Sequence, residues 1–370
     1  MLKVGFLINP IAGMGGRVAL KGTDGEETLR RALERGAVPR SGERASSAVG
    51  EFAPFARDVR FYAPGGGMGA DLLISYGFDT EVLFEPERNT SAADTVRAAQ
   101  MMLALGAGLI IFAGGDGTAR DVCAAVGESV PVLGIPAGVK IHSPVFANRP
   151  ADAGKAAAKF FRGEIKRYIT AEVVDIDEDA FRSGIVRSAL HGYMKIPDDR
   201  EFMQERKSGG AQTDGAEDLA AAAVLLMKPD YLYLIGSGST TKKITDRLGI
   251  EGTLLGVDAV KDKKCLGHDL TESEIKKFLS ETEREKRALI ITVIGGQGHI
   301  FGRGNGQLSP EVLRMIPKEN IIIAATSQKM AQLFGRSLIA DTGDAALDEE
   351  FKGYIPVLTG HGRRIMAKVS

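Results

Sequence analysis

Residues 109–118 have the sequence LIIFAGGDGT, an apolar run followed by a glycine-rich turn that contains one acid and one hydroxyl. The run from Leu109 to Ala113 is continuously apolar, as expected for a strand buried on both faces of a parallel sheet. Residues 119–126 then follow a helical pattern. The segment therefore predicts a strand, a loop and a helix in succession, which is typical of an α/β fold.

The same succession of apolar run and glycine-rich loop occurs elsewhere in the chain. The other examples are KVGFLINP before IAGMGG, VRFYAP before GGGMG, YLYLI before GSGST, and LIITVI before GGQGHIFGRGNG. Glycine contributes 46 of the 370 residues, well above a usual share of about 7%, and much of it lies in these loops. Ligands bind beyond the carboxyl ends of parallel strands, so we expect several of these loops to converge on one crevice.

Capping patterns and apolar periodicity predict further elements. Ser91 with Asp94 and Thr271 with Glu274 have capping-box spacing and predict helices that end near Leu105 and Lys286. The other predicted elements are helices at 151–162 and 217–227, strands at 168–176 and 184–196, and a terminal hairpin turning at 360–362. The polar stretch 198–215 predicts an exposed loop or flap.

The length of 370 residues predicts two domains, at roughly 150 residues per domain. We place an N-terminal α/β domain at residues 1–147. A mixed domain at 148–370 follows, with a β-rich start and with the GSGST and GGQGH loops. The last strands are expected either to complete this domain or to pack back on the first one.

Composition excludes several classes of protein. There are 47 Lys and Arg against 48 Asp and Glu, for a net charge of −1, which weighs against nucleic acid or an anionic membrane as partner. The two cysteines lack CxxC or Cys/His spacing, and the histidines are scattered, so no protein metal site is predicted. The opening residues lack the features of a secretory leader. We expect a cytoplasmic protein that forms homo-oligomers.

The turn at 114–118 has the composition of a phosphate-binding loop. Backbone N–H groups of Gly114, Gly115 and Gly117 can approach phosphate oxygens, and a helix N-terminus adds favourable partial charge. Asp116 would repel a phosphate, so its presence there indicates catalysis or metal contact rather than binding. The alternative interpretation is an ordinary strand-to-helix turn in which the acid caps the helix.

A second loop, at 295–305, gathers glycines, an amide, an imidazole and a guanidinium. These groups suit a phosphate or a carboxylate, with a planar bidentate contact from the arginine. The alternative is a long irregular turn whose histidine is satisfied locally. The candidate residues are Gly296, Gln297, Gly298, His299 and Arg303.

A weaker pattern occurs at residues 65–70. The sequence GGGMGA follows an apparent strand, and Glu85 lies 20 positions after Gly65, a spacing similar to that of a dinucleotide-binding fingerprint. In a glycine-rich chain such matches arise by chance, and the helix that would follow is short.

The sequence AGGDGT after a buried strand resembles the signature of the NAD kinase, diacylglycerol kinase and phosphofructokinase superfamily. NPIAGMGGRVALKGTDG at 9–25 is similar to the ATP-NAD kinase-like branch that includes the AcoX-type proteins of acetoin catabolism. GIPAGVK at 134–140 continues this resemblance, and GSGSTT at 236–241 matches a dinucleotide-side loop of NAD kinases.

This resemblance implies an N-terminal parallel-sheet domain and phosphoryl transfer from ATP or polyphosphate to the 2′-hydroxyl of NAD, which forms NADP. Asp116 takes the catalytic position, and Mg²⁺ is expected to bind mainly through donor phosphates. The implied phosphate- and nucleotide-binding residues are Asn9, Gly114, Gly115, Gly117, Thr118, Gly238, Ser239 and Thr240. The implied substrate-side residues are Lys21, Thr23, Asp24, Gly138, Lys140 and Glu172.

Two departures from the resemblance leave the acceptor open. NAD kinases carry an Asn-Glu pair that is missing from this chain, where Glu172 follows an alanine. Residues 230–325 also alternate strands with helices, whereas the family's second half is mainly β. The alternatives are a kinase of the same chemistry that acts on a sugar, polyol or lipid, and a non-catalytic nucleotide sensor.

Overall fold

The computed structural model describes residues 1–20, 26–87, 89–139, 141–176, 188–204, 215–360 and 362–370. The chain divides into two compact units. Unit 1 holds Met1–Met14, Gly22–Leu33 and Val38–Arg206. Unit 2 holds Gly15–Lys21, Glu34–Ala37 and Lys207–Ser370.

Strands and helices alternate along much of the described chain. The strands are β1 (Leu2–Ile8), β2 (Val59–Ala63), β3 (Asp79–Val82), β4 (Leu109–Gly114), β5 (Val132–Pro136), β6 (Tyr168–Ile176), β7 (Ser188–Pro197), β8 (Leu232–Ile235), β9 (Asp258–Lys261), β10 (Lys264–Gly267), β11 (Arg287–Thr292), β12 (His299–Phe301), β13 (Ile321–Ala324), β14 (Ile339–Ala340), β15 (Gly353–Gly360) and β16 (Arg363–Val369). The α-helices are α1 (Glu26–Glu34), α2 (Ser41–Phe52), α3 (Ala70–Ser75), α4 (Ala92–Ala104), α5 (Asp116–Val126), α6 (Pro150–Phe161), α7 (Ala216–Leu226), α8 (Ser239–Arg247), α9 (Glu272–Ser280), α10 (Pro310–Arg314), α11 (Ser327–Ala331) and α12 (Ala345–Phe351).

Unit 1 contains a five-stranded parallel sheet in the order β3-β2-β1-β4-β5. Every residue of β4 is buried, and β1 is buried from Val4 onward, which explains their continuous apolar runs. This confirms the predicted α/β fold. The strand order reverses between β1 and β4, so the loops after these two strands flank the position where such sheets bind ligands.

β6 and β7 form an antiparallel hairpin that packs in unit 1. Val173, Met194 and Ile196 belong to the same buried core as the residues of β1 and β4. This packing attaches the hairpin to the first core, and unit 1 therefore continues to Arg206. The structure differs here from the predicted boundary at residue 147.

Unit 2 contains a seven-stranded sheet in the order β10-β9-β8-β11-β13-β15-β16. The four strands β8, β11, β13 and β15 are parallel, and the remaining strands pair antiparallel at the two edges. In β8, Leu232 and Leu234 enter one apolar cluster, whereas Tyr233 and Ile235 enter another. The sheet is therefore buried on both faces, as the period of two along a strand requires.

The terminal strands β15 and β16 complete the sheet of unit 2 as an antiparallel hairpin. The predicted hairpin is therefore confirmed, and its strands belong to the second unit's sheet.

Helix starts agree with the sequence better than helix ends do. The capping boxes at Ser91 and Thr271 are both formed. The helix that begins at Glu272 ends at Ser280, short of the predicted Lys286. Its continuation is a 3-10 turn over Arg284–Lys286 that leads into β11. No helix among the described residues combines the length and apolar character needed to cross a membrane.

Candidate active-site loops

Asp116 is the first residue of α5 and is almost fully buried, with 5% of its surface exposed. Its Oδ2 accepts the backbone N–H of His142 at 2.7 Å, and its Oδ1 accepts the backbone N–H of Ser143 at 3.0 Å. Nδ1 of His142 lies 3.2 Å from Oδ2 and donates to it when that nitrogen carries the proton. These contacts fix the direction of the carboxylate.

The glycines of this turn are required because other groups lie close to their backbone. A Cβ on Gly114 would lie 2.4 Å from the Thr118 side chain, and a Cβ on Gly115 would lie 3.1 Å from Cα of Gly138. The N–H of Gly138 also donates to the carbonyl of Gly114 at 2.9 Å. The loop after β5 therefore lies directly against the loop after β4, and Gly138 lies beside the turn that carries Asp116.

Asn9 connects the end of β1 to the same turn. Its backbone N–H donates to the carbonyl of Ala113 at 2.9 Å, and its side-chain amide donates to Oγ1 of Thr118 at 2.9 Å. Of the glycine-rich loops predicted to converge, those after β1 and β4 therefore meet within unit 1, and the loop after β5 lies against them. Asn9 orients Thr118 through this hydrogen bond.

Ser143 links the Asp116 contact to the β6–β7 hairpin. Its hydroxyl donates to the carbonyl of Val174 at 2.8 Å and accepts the Val174 N–H at 3.1 Å. Gln204 donates to the carbonyl of Ser143. Glu172 lies two residues before Val174 on the same strand, opposite Tyr193 of β7. The hairpin thus supports the loop that holds Asp116.

Cys123 packs the hairpin against α5. Its Sγ lies 3.7 Å from the carbonyl oxygen of Tyr193, and a Cβ on Gly192 would approach that Sγ to 2.8 Å. Burial raises the pKa of the Cys123 thiol, so the thiol remains protonated near neutral pH. It acts here as a packing group rather than as a nucleophile.

Ser143→Ala is expected to lower the free energy of unfolding by about 1–3 kcal/mol, because both backbone groups of Val174 lose their partner in the interior. Loosening of the loop should also lower kcat more than it raises KM, because the Ser143 N–H positions Asp116. Urea unfolding and steady-state kinetics well below the melting temperature measure the two effects. Ser75→Ala, at an exposed serine of α3 that bonds only locally, is the control, and an equal response of both variants would contradict this role.

In unit 2, the GSGST loop follows β8 and leads into α8. Gly238 precedes the helix at φ +136, and a Cβ there would lie 2.5 Å from Cγ2 of Thr292. The hydroxyl of Ser237 donates to the carbonyl of Gly304 at 2.6 Å. Ser239 is exposed, and Thr240 is 3% exposed. This loop therefore packs against the end of β11 and the 295–305 loop.

Lys329, which sequence analysis missed, lies beside this loop. Its ammonium donates to Oγ1 of Thr240 at 2.8 Å and to Oγ1 of Thr292 at 3.1 Å. Thr326 caps α11, where Lys329 lies. The sequence AATSQK at 324–329 could have identified Lys329 as a candidate, because two hydroxyl residues and this lysine follow an apolar strand.

The 295–305 loop is largely an internal part of unit 2. Gln297, His299 and Arg303 are 3%, 1% and 4% exposed. Gly296 and Gly298 have φ values of +78 and +81, and His299 begins β12, which pairs with β14. The predicted loop is thus part strand, and these polar side chains are buried rather than exposed.

Part of the glycine-rich segment that follows β1 belongs to unit 2. The guanidinium of Arg17 lies 3.5 Å from the carboxylate of Glu272 and 3.9 Å from that of Glu311. A Cβ on Gly306 would lie 3.2 Å from Cα of Gly16. The sequence does not indicate that this segment divides between the two units.

The weak fingerprint at 65–70 places a carboxylate beside its first glycine and has only a short helix after it. A Cβ on Gly65 would lie 2.2 Å from Oε2 of Glu85, so a carboxylate occupies the space beside this glycine. The helix that follows, α3, has only 6 residues.

Some predicted site residues lie outside the described residues. They are Lys21, Thr23, Asp24, Lys140 and residues 205–214 of the predicted flap. Across the ranges that the structure does describe, no three His, Cys, Asp or Glu side chains group as a metal site would require.

Two family models match the chain. The ATP-NAD kinase N-terminal domain matches residues 4–165, and the ATP-NAD kinase C-terminal domain matches residues 229–369. The first match contains the turn around Asp116, and the second contains the GSGST loop, Lys329 and the 295–305 loop. No curated protein and no solved structure matches the chain.

Proposed function

The chain belongs to the NAD kinase-like family, and from this membership we propose that it transfers a phosphoryl group from ATP or polyphosphate to the 2′-hydroxyl of NAD. Membership itself indicates a phosphotransferase of the NAD kinase type. The identity of the acceptor and of the donor is our proposal. The observation that supports phosphoryl transfer is the position of Asp116, an acid held by two backbone N–H groups at the start of a helix, in the turn that the sequence predicts to bind phosphate.

In the proposed reaction, Asp116 accepts the proton of the attacking hydroxyl. Its Oδ1 accepts one described hydrogen bond, from Ser143, and a carboxylate oxygen can accept a second. The two backbone N–H groups hold the carboxylate in one orientation, so little reorganisation is needed when the proton moves. A correctly placed base contributes about 10²–10⁴ to the rate.

The donor phosphates are proposed to bind at the N-terminus of α5. Gly115 and Gly117 leave the backbone N–H groups of the turn accessible to phosphate oxygens, and the helix end favours negative charge. Asn9 keeps Thr118 oriented in this turn through the hydrogen bond between their side chains.

Mg²⁺ fits this site as an ion bound mainly through the donor. Magnesium binds through one or two carboxylates together with substrate phosphates rather than in an all-protein cage, and Asp116 is the carboxylate of the turn. When bound, the ion neutralises charge on the phosphoryl group. Since Oδ1 of Asp116 is the proposed acceptor of the hydroxyl proton, the donor phosphates would hold the ion.

The test is an assay of NADP formation. Purified protein is incubated with Mg²⁺ and NAD, with ATP or with polyphosphate, and NADP is read with an NADP-specific dehydrogenase. We expect NADP with at least one donor. Transfer to a sugar, polyol or lipid without NADP formation would contradict the acceptor, and nucleotide binding without transfer to any acceptor would identify a sensor.

A further inference from the structure

Ser143 is held by three different parts of unit 1. Its N–H donates to Oδ1 of Asp116 at 3.0 Å, and its hydroxyl bonds both backbone groups of Val174. Its carbonyl accepts a hydrogen bond from the side-chain amide of Gln204. Ser143 and Gln204 are both buried, so removal of this amide would leave the Ser143 carbonyl without its partner in the interior, which is costly.

Gln204 ends a short segment, residues 199–204, that lies beside the chain after Ser143. The backbone N–H of Gln204 donates to the carbonyl of Phe146 at 3.0 Å. The other contacts between the two segments are an antiparallel bridge between Ala147 and Met203 and a hydrogen bond of 2.8 Å from the N–H of Asn148 to the carbonyl of Phe202. These backbone contacts fix the position from which the side chain of Gln204 reaches the Ser143 carbonyl.

Lys159 of α6 holds the other end of this segment. Its ammonium lies 3.0 Å from the carboxylate of Asp199 and 3.1 Å from that of Glu201. It also lies 4.3 Å from the centre of the Phe202 ring. The Asp199 side chain is mostly buried, and partly buried ion pairs are screened less than exposed ones. The segment is therefore attached to α6 at one end and to Ser143 at the other.

The contact at the Ser143 carbonyl affects the contact at the Ser143 N–H, because both groups belong to one residue and a shift of one moves the other. The N–H groups of His142 and Ser143 fix the direction of the Asp116 carboxylate. A displacement of about 1 Å in a reacting group can cost about 100-fold in rate. The support of this carboxylate therefore extends through Ser143 to Gln204.

We propose that Gln204 is a positioning residue for phosphoryl transfer, which acts through Ser143 on Asp116. This inference rests on the proposed function, in which Asp116 accepts the proton of the attacking hydroxyl. A misdirected carboxylate slows the transfer step and leaves the groups that bind the substrates in place. Loss of the Gln204 amide should therefore lower kcat and leave KM nearly unchanged.

Gln204→Met in the full-length protein tests this inference. Methionine is similar to glutamine in length and has no N–H donor. We expect kcat for NADP formation to fall about 10-fold, with KM for NAD and for the donor within about twofold of the wild-type values. Hydrogen exchange followed by mass spectrometry should show faster exchange of the His142 and Ser143 amides, because both N–H groups leave the carboxylate more often.

A double-mutant cycle with Asp116→Asn separates positioning from a general loss of stability. Effects of interacting residues are not additive. Gln204→Met should therefore lower kcat about 10-fold in the wild-type background and less than about twofold in the Asp116→Asn background. All turnover is measured well below the melting temperature of each variant.

Asn320→Ala is the matched control. The side-chain amide of Asn320 also donates to backbone carbonyls, those of Glu285 and Arg287, both at 3.0 Å, but it lies in unit 2. This variant should lower the urea midpoint and keep both kcat and the exchange of the Ser143 amide. If Gln204→Met does not fold, Gln204→Glu takes its place, because an ionised carboxylate has nearly the same shape and no donor.

Three results would overturn this inference: an unchanged kcat in Gln204→Met, an equal fall of kcat in both backgrounds, or an equal fall of kcat in Asn320→Ala. Failure of the proposed function has a different signature. In that case the wild type forms no NADP with either donor, while exchange of the Ser143 amide still responds to Gln204→Met.

Discussion

Asp116→Asn is expected to lower kcat by about 10²–10⁴-fold, the contribution of a positioned general base. The amide has nearly the shape of the carboxylate but cannot accept the proton of the attacking hydroxyl. Affinity for nucleotide should be kept or improved, because the substitution removes a negative charge from the loop that we propose binds the donor phosphates. A large loss of turnover with retained binding is the signature of a base.

We also expect Asp116→Asn to be less stable than the wild type. Both carboxylate oxygens of Asp116 accept backbone N–H groups, from His142 and from Ser143. An asparagine can accept only one of them, and its NH₂ group then faces the other N–H. We expect a loss of about 1–3 kcal/mol in the free energy of unfolding, so kcat must be measured well below the melting temperature.

Three measurements separate these effects: urea unfolding, nucleotide affinity by calorimetry and turnover in the NADP assay. Asp121→Asn, on the same helix and ion-paired with Arg120 at 3.5 Å, is the control and should retain near wild-type turnover. If binding and turnover fall by the same factor in Asp116→Asn, the carboxylate binds substrate and is not a base.

Gly302→Ala is expected to destabilise the protein by about 3–5 kcal/mol, a large part of the usual 5–15 kcal/mol. Gly302 has φ +85, where a side chain costs about 1–2 kcal/mol. A Cβ there would lie 1.8 Å from the carbonyl oxygen of Asp341 and 2.6 Å from its carbonyl carbon. Because both atoms are backbone, the clash can be relieved only by moving the chain next to β14.

Gly304→Ala is the matched control in the same loop. Gly304 also has a positive φ, of +70, but a Cβ there meets nothing closer than Oγ of Ser237 at 3.8 Å. Only the backbone strain remains, so we expect a loss of about 1–2 kcal/mol. Denaturant unfolding of both variants gives the comparison, and similar losses would show that the close approach to Asp341 is not maintained in solution.

This comparison also bears on the 295–305 loop, which the sequence presents as a binding loop. Gln297, His299 and Arg303 in this loop are buried. A severe effect at Gly302 with a mild effect at Gly304 would establish the loop as part of the folded core of unit 2.

Local sequence predicted the elements whose signals are local. The buried strand before Gly114, the helix after it and the capping boxes at Ser91 and Thr271 are confirmed, because strand burial and helix caps depend on residues a few positions apart. The end of the helix after Thr271 and the boundary near residue 147 were less well predicted. Both depend on packing between segments far apart in the chain.

The candidate site divides in the same way. The sequence by itself determined the α/β class, the family resemblance and the turn that carries Asp116, because each depends on residues that are contiguous in the chain. Only the tertiary structure decided that His142 and Ser143 hold Asp116, that Lys329 meets Thr240 and Thr292, and that Gly302 lies against Asp341. These contacts join residues separated by 26 to 89 positions, and the order of the strands in each sheet, not the spacing along the chain, brings them within hydrogen-bonding distance.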